Sequence, residues 1–336
     1  MSNSNLKALL SEYEKKRMKA IYDAEERKNE LYKIEPKLQE IDDNLSKEAI
    51  SVSKKILTIN DSSLLNQLNN KITTLKKEKE IILKKHGLTS DYLMPHYECQ
   101  DCLDTGYITK NYESEMCHCL KQKLFNIEFN KSNLSNLSKE NFEHFSYDVY
   151  SDEINEKKYK SKLSPKKNME FICKLSHEFI DNFEDNEQKN LLFTGNTGLG
   201  KSFLSSCIAN ELLKRGKTVL YQTAPIMLDS IVDYRFGKEN SSKTLYDNLL
   251  NVDLLIIDDL GTEYINKIKF SELFNIINSR LLNSKKVTKT IISTNLSLDN
   301  LFSTYDERIV SRLVGNYDIC YFFGDDIRFK RKNSIK

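Results

Sequence analysis

The sequence of 336 residues contains no long apolar run, and its charges nearly cancel. A membrane-spanning helix needs roughly 20 consecutive apolar residues, and no stretch approaches that length, so we do not expect a membrane protein. Acidic and basic residues are interspersed from the start of the chain, which argues against a signal peptide. The 51 basic and 49 acidic residues leave a formal net charge of +2, which indicates no particular partner. We therefore expect a cytoplasmic protein, in which thiols stay reduced.

Glycine and proline are scarce at the start of the chain, where Pro36 is the only proline before residue 95 and Gly87 the first glycine. Two runs of apolar residues keep a spacing of three and four. They are Leu31, Ile34, Leu38, Ile41 and Leu45, then Leu65, Leu68, Ile72, Leu75 and Ile82. This spacing predicts two or three amphipathic helices over residues 1–94, with Pro36 in a first turn or at a kink. Such helices form a bundle of their own or dock onto a partner's helices, and the pattern fits both.

A second region, 95–130, holds a cluster of four cysteines. They are Cys99, Cys102, Cys117 and Cys119. Four thiolates are a complete ligand set for a structural zinc ion, and His96 or His118 could replace one of them. Redox chemistry is the rival for a C-x-x-C pair, but it needs an α/β setting that this region lacks. Because so short a segment cannot bury a sufficient core, we expect zinc to stabilise it.

The rest of the chain changes from a polar linker to an alternating pattern. The linker, predicted over 131–168, is rich in Asn, Ser and Lys and carries scattered aromatic residues, namely Phe142, Phe145, Tyr147 and Tyr150. Five short apolar runs follow, separated by segments of helical length: LLFT, TVLYQT, LLIID, TIIST and ICYFF. This alternation predicts a third domain over 169–336, with a parallel β-sheet and flanking helices.

A phosphate-binding motif lies between the first of these strands and the next helix. Its eight residues are Gly195, Asn196, Thr197, Gly198, Leu199, Gly200, Lys201 and Ser202, which fit G-x-x-x-x-G-K-[ST]. The glycines let the loop wrap around phosphate oxygens, which the backbone N–H groups and the start of the helix attract. We expect Lys201 to reach the β- and γ-phosphates and Ser202 to bind Mg²⁺.

Polar residues end two later strands. In LLIIDD, Asp258 is placed to hold Mg²⁺ through water, and Asp259 is placed to polarise an attacking water molecule. Glu263 competes with Asp259 for that second role. Asn295 follows the strand TIIST, where it could orient water or sense the γ-phosphate, although an isolated Asn is also a common helix cap.

Two arginines lie four residues apart in DERIVSRL, on one face of a predicted short helix. Guanidinium groups suit contact with phosphates. Arg308 has Asp306 and Glu307 beside it for a local ion pair. Arg312 is therefore the better candidate for a finger that reaches the nucleotide of a neighbouring subunit.

Taken together, the motifs resemble AAA+ ATPases of the DnaC/DnaI type, the bacterial replicative helicase loaders. The resemblance covers most of the chain and rests on segments in the family's order. These are ECQDCLDTGYI with CHCLKQ, ENFEHFSYDVYS, FTGNTGLGKSFLSSCIA, LLIIDDLGTE, IISTNLS, DERIVSRL and GDDIR. It implies a P-loop AAA+ core without a full lid domain, which binds ATP and single-stranded DNA and self-associates. It also implies that the helical N-terminal part contacts a DnaB-type replicative helicase.

Carried over by position, the resemblance also implies roles for individual residues. Gly195 to Ser202 would be the Walker A loop, Asp258 and Asp259 Walker B, Asn295 sensor 1, Arg312 the arginine finger and Arg328 sensor 2. Two features depart from the pattern of AAA+ proteins in general. The acid at Asp259 is usually Glu, so we expect slow turnover. Only eight residues follow Arg328, too few for the helical lid, which the loaders are known to lack.

The sequence thus predicts an ATP-hydrolysing loader that delivers a replicative helicase onto single-stranded DNA during replication initiation. A transposition-associated ATPase of the IstB type is an alternative, disfavoured by the cysteine region and the long helical N-terminus. A nucleotide-switched adaptor with little turnover is another. Basic residues that could contact DNA lie in 214–217, 285–289 and the tail 329–332.

Overall fold

The computed structural model describes residues 3–56, 62–110, 112–128, 139–237, 243–264 and 266–328. The chain divides into two compact units, one of Lys7–Glu115 and one of Met116–Lys336 together with Met1–Leu6. The basic tail 329–332, the start of the predicted linker and the side chains of Leu65 and Leu68 lie outside the described residues. None of the described helices is both long enough and apolar enough to cross a membrane.

Three helices make up most of the first unit, as the apolar spacing predicts. They are α1 (Asn3–Ile34), α2 (Pro36–Ile56) and α3 (Ser62–Lys85). Pro36 is the first residue of α2, where its missing N–H costs no hydrogen bond. Leu31, Leu38, Ile41, Ile82 and Leu83 form a buried cluster. Leu45 and Leu75 of the predicted stripe pack against this cluster and are partly buried, whereas Ile34, the last residue of α1, is 69% exposed.

The cysteine region combines a tight turn, two short strands and a helix. After Cys102 the chain turns through Leu103 and Asp104, which both adopt positive φ, and enters β1 (Tyr107–Lys110). The buried Asp104 carboxylate accepts the N–H groups of Glu98 and Cys99, both at 2.9 Å, which holds the turn in shape. β2 (Glu113–Met116) pairs with β1, and α4 (His118–Glu128) follows.

Five parallel strands form the central sheet of the second unit. They are β3 (Asn190–Thr194), β4 (Val219–Thr223), β5 (Leu254–Leu260), β6 (Lys289–Thr294) and β7 (Tyr317–Tyr321), in the spatial order β4-β5-β6-β3-β7. Each neighbouring pair is parallel. Every strand predicted from the sequence is present, and the α/β fold class with flanking helices is confirmed.

Helices cover both faces of this sheet. They are α5 (Glu156–Tyr159), α6 (Pro165–Asp181), α7 (Lys201–Lys214), α8 (Ala224–Arg235), α9 (Lys243–Asn251), α10 (Lys267–Leu281), α11 (Leu298–Thr304) and α12 (Glu307–Asn316). Strand side chains alternate between two cores, as a period of two requires. In β3, Leu191 and Phe193 join the core under α6 and α7, whereas Leu192 joins the core under α8 to α12. The long apolar strands are therefore buried on both sides.

The segment 139–150 packs onto this second unit. It forms two 3₁₀ turns, Phe142–His144 and Tyr147–Val149, each begun by a side-chain cap, from Asn141 and Ser146. The four aromatic residues that the sequence shows here all pack against the core beneath α6 and α7. Part of the predicted linker therefore packs against the core of the second unit.

Candidate functional site

A cavity of about 660 Å³ opens at the carboxyl end of the sheet, beside the loop between β3 and α7. Parallel α/β sheets bind ligands at this end. Gly195 and Gly198 adopt φ values of 144° and 75°, which side chains disfavour. A Cβ atom would lie 2.1 Å from the Phe322 carbonyl oxygen at Gly195, and 2.1 Å from the Asp326 carboxyl group at Gly198. Both positions of the predicted phosphate loop therefore require glycine.

Lys201 lies at the start of α7, and its ammonium group is buried among oxygen atoms. Nζ donates to the carbonyl oxygens of Gly195 and Asn196, at 2.6 and 2.7 Å, and to Asn295 Oδ1, at 2.8 Å. Burial lowers the pKa of Lys201 to about 8, while the charges of Asp259 and Asp258 oppose the shift. The loop thus holds the lysine in the cavity, together with the predicted sensor residue Asn295.

Asp258 is buried at the end of β5 and accepts hydrogen bonds from two hydroxyl groups. Tyr221 on β4 donates to Oδ2 at 2.8 Å, and Ser293 on β6 donates to Oδ1. Burial and the charge of Asp258 raise the pKa of Tyr221 well above its usual value. Both oxygen atoms of this predicted metal ligand are thereby held by neighbouring strands.

Asp259 adopts a left-handed backbone conformation, with φ of 55°. The pairing of β5 with β6 shifts register between Ile257 and Leu260, so the residue sits in a bulge. Its N–H donates to Ser293 Oγ at 3.1 Å, and its side chain lines the cavity. Burial, then the charge of Asp258, raises the pKa of Asp259. A strained conformation of this kind is common at functional sites.

Glu263, the rival of Asp259, is engaged elsewhere. Its Oε2 accepts the Gly261 N–H at 2.8 Å, and its Oε1 accepts the Tyr305 hydroxyl. Glu263 is buried and is not one of the described residues that line the cavity. Of the two acids, the geometry thus brings Asp259 to the phosphate loop.

The three predicted arginines occupy different surroundings. Arg328 lines the cavity, and the Ile327 N–H beside it donates to the Gly198 carbonyl oxygen at 3.0 Å. Arg308 forms a two-pronged pair with Asp306, at 2.8 and 3.0 Å, which lowers the pKa of Asp306 to about 2. Arg312 is exposed on α12 and donates to Asn278 Oδ1 at 3.1 Å.

One wall of the cavity comes from residues that sequence reasoning did not assign to it. His144, Phe145 and Tyr150 line it, and the Tyr150 hydroxyl donates to the Leu199 carbonyl oxygen at 3.0 Å. A Cβ at Gly200 would lie 2.6 Å from that hydroxyl, so the tyrosine lies tightly against the phosphate loop. In the sequence, the run of aromatic residues in this segment is the signal that could have indicated its place in the cavity wall.

The four cysteines of the second region come together. The sulfur atoms of Cys99, Cys102, Cys117 and Cys119 lie within 4.8 Å of one another. That spacing fits four thiolates around one tetrahedral zinc ion, with Zn–S distances near 2.3 Å. A second possible set joins Cys99 and Asp101 with His118. The other three cysteines, Cys173, Cys207 and Cys320, are buried in the core, as their apolar surroundings predict.

Comparison with known proteins supports the sequence resemblance. The family described as IstB-like ATP binding protein matches residues 155–334. The replicative helicase loader DnaC of Escherichia coli K12 is 32% identical over 142 residues, which are 42% of this chain and 56% of that protein. DnaC of Buchnera aphidicola subsp. Baizongia pistaciae is 33% identical over 157 residues, 46% of this chain and 62% of that protein. These matches therefore span less than two thirds of either relative.

Among solved structures, one titled as a crystal structure of the DnaC helicase loader aligns with a TM-score of 0.43 at 22% identity. The alignment covers 56% of this chain and 99% of that one. AMPPCP-bound DnaA from Aquifex aeolicus aligns with a TM-score of 0.45 at 22% identity, covering 59% of this chain and 54% of that one. The resemblance to helicase loaders drawn from the motifs is confirmed by the sequence relatives.

Proposed function

The chain belongs to the family of IstB-like ATP-binding proteins, and on that premise we propose that it is a helicase loader. It binds and hydrolyses ATP and delivers a DnaB-type replicative helicase onto single-stranded DNA during replication initiation. The observation that carries the proposal is the cavity in which Lys201, Asp259 and Asn295 converge on the phosphate loop. The relatives named DnaC support the choice of a helicase as the partner.

ATP would bind with its phosphates on the loop from Gly195 to Ser202. The start of α7 and the loop's N–H groups attract anions, and Lys201 would exchange its bonds to backbone carbonyls for bonds to phosphate oxygens. The 660 Å³ cavity has room for a nucleotide, and its wall from His144 to Tyr150 is largely aromatic and apolar. That wall suits a base, whereas the loop suits phosphates.

Ser202 and Asp258 supply oxygen donors, which Mg²⁺ prefers. When bound, Mg²⁺ would neutralise charge on the phosphates. Asp259 would orient the attacking water molecule, and Asn295, already bonded to Lys201, would sense the γ-phosphate. Because an aspartate reaches less far than the usual glutamate, we expect slow turnover that a partner or DNA stimulates.

Self-association would complete the site. Arg312, exposed on α12, is the candidate finger for a neighbouring subunit's nucleotide, and Arg328 is the candidate sensor within the same subunit. Arg308 is committed to Asp306 by two hydrogen bonds. This difference between two arginines of one helix supports the assignment of the finger to Arg312.

The four clustered cysteines would hold a structural zinc ion. When bound, zinc would supply stability that the short segment 95–130 cannot gain from a core of its own. The helical region that precedes it would contact the helicase, in the cytoplasm. An IstB-type role in transposition remains the second candidate, because the family that matches residues 155–334 carries that name.

Substitution of Lys201 tests nucleotide binding. We expect Lys201→Ala to lower ATP affinity roughly 10- to 150-fold, since a hydrogen bond to a charged group contributes about 1.5–3 kcal/mol, and to abolish helicase loading. Binding is measured with a fluorescent ATP analogue, and loading by transfer of the replicative helicase onto single-stranded DNA. Lys214→Ala, on the exposed side of the same helix, is the matched control for nucleotide binding and should keep the wild-type ATP affinity.

Paired arginine variants extend this experiment to hydrolysis. Arg312→Ala should keep ATP binding but lose roughly 10³-fold in turnover, whereas Arg308→Ala should stay close to wild type. Equal losses in both variants would contradict the finger assignment.

Two other results would favour the alternative functions. An Asp259→Asn protein that still loads helicase in repeated rounds would favour the nucleotide-switched adaptor. A wild-type protein that binds a transposase instead of a helicase would favour the IstB-type role.

A further inference from the structure

Tyr221 lies between the two residues expected to hold magnesium. It stands on β4, the edge strand beside β5, and its side chain is 3% exposed. Its hydroxyl group donates to Asp258 Oδ2 at 2.8 Å. The nearby Ser202 hydroxyl, at the end of the phosphate loop, opposes the rise in the pKa of Tyr221 that burial and Asp258 cause. One buried phenol is therefore bonded to Walker B and lies near the end of Walker A.

Two hydrogen bonds converge on the Asp258 carboxylate. Tyr221 donates to Oδ2, and Ser293 donates to Oδ1. The low dielectric of this buried site strengthens both bonds. Because both carboxylate oxygens have a fixed hydroxyl donor, the plane of the Asp258 carboxylate is fixed as well.

A metal ion makes specific demands on these groups. A serine hydroxyl that binds Mg²⁺ does so through an oxygen lone pair and keeps its proton, which then needs an acceptor. We assign that role to the Tyr221 oxygen, whose own proton goes to Asp258. Each Asp258 oxygen accepts one hydroxyl and retains a second lone pair for metal-bound water. Such partners of metal ligands typically change metal affinity by 10- to 100-fold.

We propose that Tyr221 is a positioning residue of the magnesium site, and that its hydroxyl group orients Ser202 and Asp258 for Mg²⁺ before the ion arrives. The inference rests on the proposed function, because it takes Mg²⁺ with ATP as the ligand of this cavity. It goes beyond the sequence motifs, since Tyr221 belongs to neither Walker segment. Tyr221 itself does not touch the metal, and it acts through the two ligands.

The test is Tyr221→Phe in the full chain, which removes the hydroxyl and keeps the ring. A fluorescent ATP analogue is bound first in EDTA and then at rising MgCl₂ concentration. We expect the affinity in EDTA to stay within about twofold of wild type. The Mg²⁺ concentration that gives half of the Mg²⁺-dependent gain in affinity for the ATP analogue should rise about tenfold or more. A change confined to the Mg²⁺ dependence is the signature of positioning, because general destabilisation would alter both measurements.

Tyr305→Phe is the matched control. Tyr305 is also buried and also donates its hydroxyl to a carboxylate, that of Glu263, which is not one of the proposed metal ligands. Its variant should show the wild-type Mg²⁺ midpoint. If Tyr221→Phe does not fold, Tyr221→Met fills the same space without a hydroxyl and takes its place in the comparison.

Two results would overturn the inference: a wild-type Mg²⁺ midpoint in the Tyr221 variant, or equal shifts in the Tyr221 and Tyr305 variants. Failure of the proposed function looks different. In that case the wild-type protein itself shows no Mg²⁺-dependent nucleotide binding, whatever residue stands at position 221.

Discussion

Among individual residues, Lys201 ties nucleotide binding to pH. Burial lowers its pKa to about 8 in the nucleotide-free protein, and a phosphate needs the charged form. Below pH 8 the lysine is already protonated, so affinity should change little through this group. Above pH 8 binding must take up a proton, and affinity should fall by about tenfold per pH unit. Calorimetry in two buffers of different ionisation enthalpy measures this uptake directly.

The same lysine should stabilise the folded protein as the pH rises, whereas it should weaken nucleotide binding. Its pKa is lower in the folded chain than in the unfolded one, so between pH 8 and about 10.4 the unfolded state binds more protons. The contribution of Lys201 to the free energy of unfolding therefore rises with pH over that interval. Lys201→Ala should lack this rise, which denaturant titrations at several pH values detect. In the binding experiment, an ATP affinity that stays constant from pH 7 to 9.5 would contradict the lowered pKa of Lys201.

The sequence predicts residues whose role depends on local spacing, and it misses those that act across the fold. The phosphate loop and the Asp258–Asp259 pair follow from short motifs beside strands. Tyr150 and Tyr221 do not, because their partners Leu199 and Asp258 lie 49 and 37 residues away. Nothing in a single sequence states that these tyrosines meet the loop or the carboxylate.

At the level of secondary-structure elements, the cysteine region should carry one zinc ion per chain. Metal analysis of the purified protein measures the stoichiometry, and removal of zinc by a chelator should lower the melting temperature. Cys117→Ser with Cys119→Ser should abolish zinc binding. Cys207→Ala is the control, because Cys207 is buried in the core away from the cluster and its variant should retain zinc. A folded wild-type protein with almost no zinc would refute the site.

Strand and helix positions follow from hydrophobic periodicity, whereas irregularities in those elements depend on pairing. All five strands and the helix after the phosphate loop agree with prediction. The bulge that turns Asp259 towards the cavity arises from the register of β5 against β6, which periodicity does not encode. Similarly, the Gln122 side chain of α4 bonds both the N–H and the carbonyl of Val219, at 2.7 and 3.0 Å, and so covers part of the exposed edge of β4.

At the scale of the whole molecule, a test of helicase binding by deletion of the N-terminal region would also damage the nucleotide cavity. A deletion up to residue 165 follows naturally from the predicted domain boundaries. It would also remove Phe145 and Tyr150, which line the nucleotide cavity. A loss of function in that truncated protein would therefore not distinguish a docking defect from a damaged ATP site. Substitutions on the surface of the helical unit avoid this problem.

Met18 and Tyr22 are suited to such a test. They lie four residues apart on one face of α1 and are 60% and 62% exposed, so they form an apolar surface that the described fold does not bury. If this unit binds the helicase, Met18→Asp with Tyr22→Asp should weaken helicase binding about tenfold or more. A few residues near the centre of an interface carry most of the binding energy in many complexes. ATP binding, which depends on the other unit, should be unchanged.

Size-exclusion chromatography with the host's replicative helicase measures this binding. The matched control is Phe171→Asp, which places the same charge at an apolar position that is 54% exposed on α6 of the nucleotide-binding unit. Circular dichroism should show unchanged helix content in both proteins, because all three side chains are exposed. Helicase binding that survives the α1 changes but is lost with Phe171→Asp would move the docking surface to the ATPase unit. In that event the buried stripe of the N-terminal helices would have a purely structural role.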